Sequence, residues 1–216
     1  MATLQAVEKK QAVTIPPPNL QIATFKIVST APFMQHRFWK KAEMMETQEK
    51  GSQAQSKRKR KPRDFEKDYQ ESMYQAEDGW RGIPASSFRN AMISACRLVD
   101  FKMTRAKLSI FIVADGMDPR DAIPLVKITK GEPKKDIGPA RNDNGSMDLR
   151  ARARWDQWEA VLKVRFDADQ FSATDVANLL ERAGMQVGVG EGRPDSKNSA
   201  GLGYGTFTTL GGDNAE

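Results

Sequence analysis

The chain has 216 residues, with 34 lysines and arginines against 28 aspartates and glutamates and a net charge of +6. This length suffices for one well-buried domain, and the moderate positive excess favours an anionic partner. One cysteine, Cys96, and one histidine, His36, exclude an intramolecular disulfide and a Cys/His zinc site. Because no long apolar run or signal-peptide core is found, we expect a cytoplasmic protein with no membrane contact. The glycines are not followed by the lysine of a nucleotide-binding signature, and we expect no cofactor.

The N-terminal part predicts a polar leader followed by a strand. Three prolines at 16–18 stand near the end of residues 1–19, and the β-branched-rich run Leu20–Thr30 is closed by Pro32. We expect one domain over residues 20–210 and a short tail over 211–216.

Residues 33–78 are rich in Met, Gln, Glu, Lys and Arg and predict a basic insertion after the first strand, too polar to join the core. Helices are expected at 39–50 and 65–74, with a mobile basic loop between them. Three roles are open for that loop: it contacts phosphate, forms an inert solvated surface or acts as a nuclear localisation signal. Its candidate contact residues are Lys57, Arg58, Lys59 and Arg60.

Aromatic residues flank this insertion and allow two interpretations. Each could stack on bases of a single strand or pack the insertion onto the domain, and packing is the commoner role. The four are Trp39, Tyr69, Tyr74 and Trp80.

The segment after Gly79 predicts a helix that begins near Pro84, because proline and serines precede apolar residues at helical spacing. Its first turn presents four polar side chains where free N–H groups and the helix dipole favour anions. The alternative is an ordinary capped helix. The candidate contact residues are Ser86, Ser87, Arg89 and Asn90.

The middle of the chain predicts strands at 107–114 and 123–129, then an exposed loop over 130–148 that is rich in Gly, Pro, Lys, Asp and Asn. Residues 149–155 alternate strictly. In an extended backbone this places Arg150, Arg152 and Arg154 on one face as a positive stripe.

The C-terminal part predicts an amphipathic strand at 158–166, a helix capped by Ser172 that stops at Gly184, and a last strand at 204–210. The resulting order of strand, helix, strand, strand, helix, strand is the ferredoxin-like or RRM-like βαββαβ arrangement of the α+β class. Its antiparallel sheet leaves one face open to a ligand, although no stacking aromatic pair is identified on it.

Seven of the chain's 16 glycines fall within residues 184–205, together with basic side chains. Such density is tolerated where the backbone takes positive φ or something approaches it closely. The segment predicts either a backbone-lined phosphate contact or a flexible surface loop. Its candidate contact residues are Gly190, Gly192, Arg193 and Lys197.

Residues 83–91 (IPASSFRNA) resemble the helix start of the RAMP superfamily, the ferredoxin-like proteins of CRISPR effector complexes. Residues 188–193 and 201–205 are similar to that superfamily's C-terminal glycine-rich loop. The resemblance implies a non-catalytic backbone subunit that binds single-stranded guide RNA and stacks head to tail with copies of itself, together with other effector subunits. It also implies that the insertion at 33–78 is thumb-like and meets the neighbouring subunit and the strand. Phosphate contacts are implied at the helix start and in the glycine-rich loop.

Three alternatives remain at this point. A solitary virus-encoded relative would bind single-stranded DNA for replication or recombination. A ribonuclease of the same fold would use His36 as general acid or base, or Asp64 and Asp68 with a metal, although these side chains are more often structural. A basic scaffold protein would instead bind an acidic protein partner.

Overall fold

The computed structural model describes residues 15–37, 64–141, 147–196 and 202–210. The predicted helix at 39–50, the basic block Lys57–Arg60, Trp39 and Lys197 lie outside these ranges.

The described residues form eleven strands and four α-helices. The strands are β1 (Leu20–Ser29), β2 (Phe33–Gln35), β3 (Tyr74–Gln75), β4 (Arg81–Pro84), β5 (Ile110–Val113), β6 (Gly116–Asp118), β7 (Ile123–Lys130), β8 (Pro133–Arg141), β9 (Met147–Trp155), β10 (Glu159–Asp167) and β11 (Phe207–Leu210). The helices are α1 (Phe65–Glu71), α2 (Ala85–Ala95), α3 (Met103–Ser109) and α4 (Ala173–Arg182).

These strands form two sheets, and every strand pair within them is antiparallel. The larger sheet has the order β11–β1–β10–β7–β4–β3, with β5 also paired to β10 and β6 to β7. The smaller sheet has the order β2–β9–β8. The protein is therefore of the α+β class with antiparallel sheets, as the sequence predicts.

One side of the larger sheet carries the core. Alternate residues of β10 are buried on this side, from Ala160 to Phe166, and Phe25 and Ile27 of β1 lie opposite them in register. Helix α2 packs on β5 and β7, while α4 contacts α2 and β11. Trp158 and Phe207 meet at the centre with their ring centres 5.8 Å apart. Helices thus cover this side of the sheet.

Several predicted elements are confirmed. The first strand, the strand predicted at 123–129 and the alternating strand that carries the three arginines all form. The predicted face of β10 is buried, and so are Phe88, Ala91, Met92 and Ala95 of α2. Burial raises the pKa of the Cys96 thiol, in keeping with its predicted core position.

The prediction that residues 33–78 stay out of the core is wrong. Phe33, Met34 and Met73 are buried, and the Phe33 ring centre lies 5.4 Å from that of Trp155. The physical reason is that β2 pairs with β9, so this polar-looking segment begins the second sheet. Helix α1 forms within the range predicted for it.

Two boundaries in the middle of the chain are also corrected. Residues 107–109 are the last turn of α3 rather than the start of a strand, and the strand begins at Ile110. The predicted loop at 130–148 contains β8, which pairs with β9 along its whole length. Cross-strand pairing overrides the low strand propensity of its Gly, Pro, Lys and Asp residues.

The last helix and strand differ slightly from their predicted limits. After α4 the helical backbone continues as a π turn over Ala183–Val187, beyond the predicted stop at Gly184. The final strand begins at Phe207 rather than Tyr204. Among the described residues, no helix combines the length and apolarity that crossing a membrane requires.

A capping-box variant tests the predicted start of α4. The Ser172 hydroxyl accepts a hydrogen bond from the Asp175 N–H, and the Asp175 carboxylate accepts one from the Ser172 N–H. We expect Ser172→Ala to lower the free energy of unfolding by about 1 kcal/mol. Denaturant unfolding measures this loss. Ser86→Ala, in the first turn of a helix without a side-chain cap, is the control and should change the stability by less than about 0.5 kcal/mol.

The same pair gives a pH dependence. Hydrogen bonds from Ser172 hold the pKa of Asp175 below its usual range. Its stabilising contribution is therefore present above the ordinary aspartate pKa of about 3.9 and is lost as the pH falls through the lowered value. The difference between wild type and Ser172→Ala should shrink in that acidic range, and a difference that stays constant there would contradict the assignment.

Candidate nucleic-acid interface

The side of the larger sheet opposite the helices is partly exposed, and we call its outward residues on β1, β5 and β10 the open face. On β1 these include Ile22 and Lys26, with Ile22 61% exposed. On β10 they include Lys163 and Arg165, which are both exposed. Cross-strand register places Ile22 directly opposite Arg165. Cationic and apolar side chains therefore alternate across this face.

Phe111 of β5 is the half-buried aromatic residue of the open face, and it lies opposite Arg165 in register. The Cζ atom of Arg165 is 5.2 Å from the centre of its ring, and that of Arg89 is 5.4 Å away. Both distances are in the range of cation–π contacts. Sequence analysis missed Phe111 because it was interpreted as part of an apolar buried strand.

Ion pairs neutralise part of the positive charge on the open face. Glu159 accepts hydrogen bonds from Lys26 and Lys130, each at 3.0 Å, which lower the pKa of its carboxyl. The amine of Lys163 lies 3.4 Å from Asp115. Arg165 has no hydrogen-bond or ion-pair partner among the described residues. Among the three cations of the open face, Lys26, Lys163 and Arg165, only Arg165 thus has no carboxylate partner in the described part of the chain.

The predicted helix-start site forms in part. Ser86 and Asn90 are exposed and Ser87 is half-buried, and no side chain caps the first N–H groups of α2. Arg89 differs from the prediction, because its Nε donates to the Ile110 carbonyl at 2.9 Å and its Nη2 donates to the Lys107 carbonyl. Arg89 is therefore held by the backbone around β5.

The predicted arginine stripe lies on one face of β9, but carboxylates share that face. Arg152, with 8% of its side chain exposed, lies 2.9 Å from Glu191 and 3.5 Å from Asp136. Arg154 lies 2.8 Å from Asp136 and 3.0 Å from Asp156. Arg150 lies 3.9 Å from Asp148. The stripe is an ion-paired network rather than an unbalanced positive surface.

The glycine-rich segment packs its backbone closely against the rest of the protein. The Val189 N–H donates to the Gly205 carbonyl at 2.9 Å, and the Glu191 N–H donates to the Met34 carbonyl at 2.9 Å. A Cβ at Gly205 would lie 1.7 Å from the Val189 oxygen, and one at Gly190 would lie 2.5 Å from the Met34 oxygen. Close approach within the protein therefore explains both glycines without a ligand.

This packing brings two of the predicted contact regions together, the glycine-rich segment and the arginine stripe. Glu191, next to Gly190 and Gly192, forms the ion pair with Arg152 that links the glycine-rich segment to β9. Arg193 donates from Nη1 to the Gly190 carbonyl at 3.1 Å. The helix start and the open face do not join this cluster through any hydrogen bond or ion pair between described residues.

Three of the predicted stacking aromatics have packing roles. The Tyr69 hydroxyl donates to the Pro133 carbonyl at 3.0 Å, and the Arg37 guanidinium lies 5.4 Å from the Tyr74 ring centre. The Trp80 ring lies against Gly82 and Gly116, where a Cβ would come within 2.9 Å and 2.7 Å of it. These contacts match the packing interpretation.

The residues proposed for a ribonuclease are found in separate surroundings. The Asp64 carboxylate caps α1 by accepting from the N–H groups of Glu66 and Lys67, both at 3.0 Å. Asp68 lies on that helix. The Nδ1 atom of His36 is 4.0 Å from the Glu191 carboxylate. No group of three His, Cys, Asp or Glu side chains in the described part of the chain is placed to hold a metal ion.

A pair of alanine variants tests the packing role of the glycine-rich segment. Gly205 and Gly203 have similar positive φ angles of 71° and 66°, but a Cβ at Gly203 would meet nothing within 4 Å. We expect Gly203→Ala to cost about 1 kcal/mol, from the left-handed backbone alone. Gly205→Ala should cost more than about 3 kcal/mol because its Cβ overlaps a backbone oxygen. Denaturant unfolding of both variants gives the comparison, and equal losses would contradict the packing explanation.

Comparison of the chain with protein-family models and with curated proteins finds no match. The resemblance to the RAMP superfamily accordingly rests on residues 83–91 and 188–205 alone. The case for function therefore depends on the geometry of the open face and its neighbours.

Proposed function

We propose that the protein binds single-stranded nucleic acid, largely independently of sequence, on the open face of its larger sheet. The observation that carries this proposal is the alternation of cationic and apolar side chains across β1, β5 and β10. Lysine and arginine attract the phosphates, while apolar and aromatic side chains accept unstacked bases. A double helix keeps its bases stacked inside, so a single strand fits this pattern better.

Strand order supports the proposal. We assign the core to the ferredoxin-like βαββαβ arrangement, with β1, α2, β5, β10, α4 and β11 as its six elements. The neighbours β11, β1, β10 and β5 then lie in the order fourth, first, third, second, which is the order of that fold. In such a sheet the side away from the helices is the one left for a ligand.

The proposal extends to assembly of copies head to tail along the strand. The surface that supports it is the hairpin arm, formed by β8 and β9. Helix α1 covers one face of the arm around Lys135, whose amine lies 2.7 Å from the Glu66 carboxylate. Farther out on the same face, Ile137 is 48% exposed and Met147 is 65% exposed. Exposed apolar side chains on this arm favour contact with a neighbouring copy.

Binding is tested with a double substitution on the open face. Lys163→Gln with Arg165→Gln should lower the affinity for a labelled single strand about tenfold at low salt and reduce the salt slope by about 1.4, the value for two phosphate contacts on a single strand. Fluorescence anisotropy at several salt concentrations, with RNA and DNA of matched sequence, measures both quantities.

The matched control removes the same charge elsewhere. Lys102 and Arg182 are exposed, with Arg182 on α4 at the helical side of the sheet. Lys102→Gln with Arg182→Gln should leave the affinity within about twofold of wild type. Equal losses in the two double variants would show that net charge, and not the open face, determines binding.

Assembly is tested separately at the hairpin arm. Ile137→Glu should abolish the growth of complex size with strand length, because a charge at an apolar contact costs desolvation energy. Met117→Glu, at a residue that is 52% exposed on β6, is the control and should leave assembly unchanged. Sedimentation velocity on strands of increasing length reports the result, and length-dependent complexes of Ile137→Glu would refute the role of the arm.

A further inference from the structure

The geometry around Phe111 points to a base-stacking subsite, in which Phe111 and the Arg165 guanidinium accept the flat face of a nucleobase. This inference rests on the proposed function and adds the chemistry that the open face recognises. It assigns part of the affinity to bases rather than to phosphates.

The Phe111 ring is the aromatic surface of this subsite. Phe111 is half-buried on the outward side of β5, while its neighbour Ile110 is fully buried. Arg165 and Ile22 continue the same row on β10 and β1, because register pairs Phe111 with Arg165 and Arg165 with Ile22. A flat aromatic and an exposed aliphatic side chain thus flank one arginine across three neighbouring strands.

The two guanidinium groups beside the ring differ in their freedom to move. Arg89 is fixed to the carbonyls of Ile110 and Lys107 and holds one position beside the ring. Arg165 contacts the ring at 5.2 Å without a hydrogen bond or ion pair to any described residue. Five N–H donors on an exposed arginine are thus left to solvent. Its plane is able to stack on a base while its N–H groups bind the adjoining phosphate.

The charges along this row indicate which ligand fits it. Lys163 is on the same face, two residues before Arg165 on β10, so the row is bordered by a second cation. An apolar partner would leave Arg165 without an anion, and an acidic protein would leave the aromatic ring without a flat partner. A nucleotide supplies both an anion and an aromatic face. Single-stranded nucleic acid is therefore the ligand that complements the whole row.

The test compares two probes of equal length and charge: an oligothymidylate and an abasic oligodeoxynucleotide, each carrying the same fluorophore. The wild-type protein should bind the oligothymidylate about tenfold more tightly than the abasic strand. Phe111→Leu should remove this preference and leave the affinity for the abasic strand unchanged. Arg165→Lys, which keeps the charge but not the plane, should reduce the preference at least about threefold.

The control variant is Phe101→Leu. Phe101 also has an arginine near its ring, with the Arg105 Cζ 5.6 Å from the ring centre, but it precedes α3 and is not on the open face. Its substitution should leave the preference for bases unchanged. Circular dichroism of each variant checks the fold, and the exposed position of Arg165 keeps Arg165→Lys informative if Phe111→Leu unfolds.

The outcomes separate this inference from the proposed function. Equal binding of both probes by the wild-type protein, or a base preference that survives in both Phe111→Leu and Arg165→Lys, would overturn the stacking subsite and leave phosphate binding intact. Binding of neither probe would overturn the proposed function and the subsite together.

Discussion

The pairing of β10 with β1, β5 and β7 is the constraint on which the rest of the structure depends. Because side chains alternate along a strand, this one segment sends Ala160, Leu162, Val164 and Phe166 into the core and Lys163 and Arg165 to the other side. A shift of one residue in register would exchange the two sets, so the core fixes the position of the open face. The register of β10 therefore determines both the packing of the core and the position of the proposed binding surface.

The second sheet and the glycine-rich segment form a supporting framework rather than an unbalanced basic surface. Buried Arg152 is paired with two carboxylates, one from β8 and one from the glycine-rich segment. The glycines allow that segment to approach residues 32–34 closely enough for backbone hydrogen bonds. The buried ion pairs fix the position of Arg152, because a buried charge without its partner would cost several kcal/mol of folding free energy. The glycine-rich segment thus holds β2 and the turn between β1 and β2 in place through backbone hydrogen bonds.

Sequence reasoning predicted the elements whose signals are local. The alternation of residues 158–166 and the Ser172 cap gave β10 and α4, because periodicity and capping depend on near neighbours. It missed the burial of Phe33 and the strand at Pro133–Arg141, because both depend on pairing with β9. For the candidate site, Arg89 and Arg152 were identified as cations, but their carbonyl and carboxylate partners come from distant parts of the chain. Phe111 was missed because an apolar run does not show which of its residues face outward.

Photo-crosslinking locates the surface that contacts the strand. A single strand containing 5-iodouracil is irradiated on the full-length protein, and mass spectrometry identifies the crosslinked residues. We expect crosslinks on the open face, at Phe111 and at neighbouring residues of β1 and β10. Crosslinks confined to the helix start at Ser86–Asn90, to the glycine-rich segment or to the block Lys57–Arg60 would contradict it and assign binding to those residues instead.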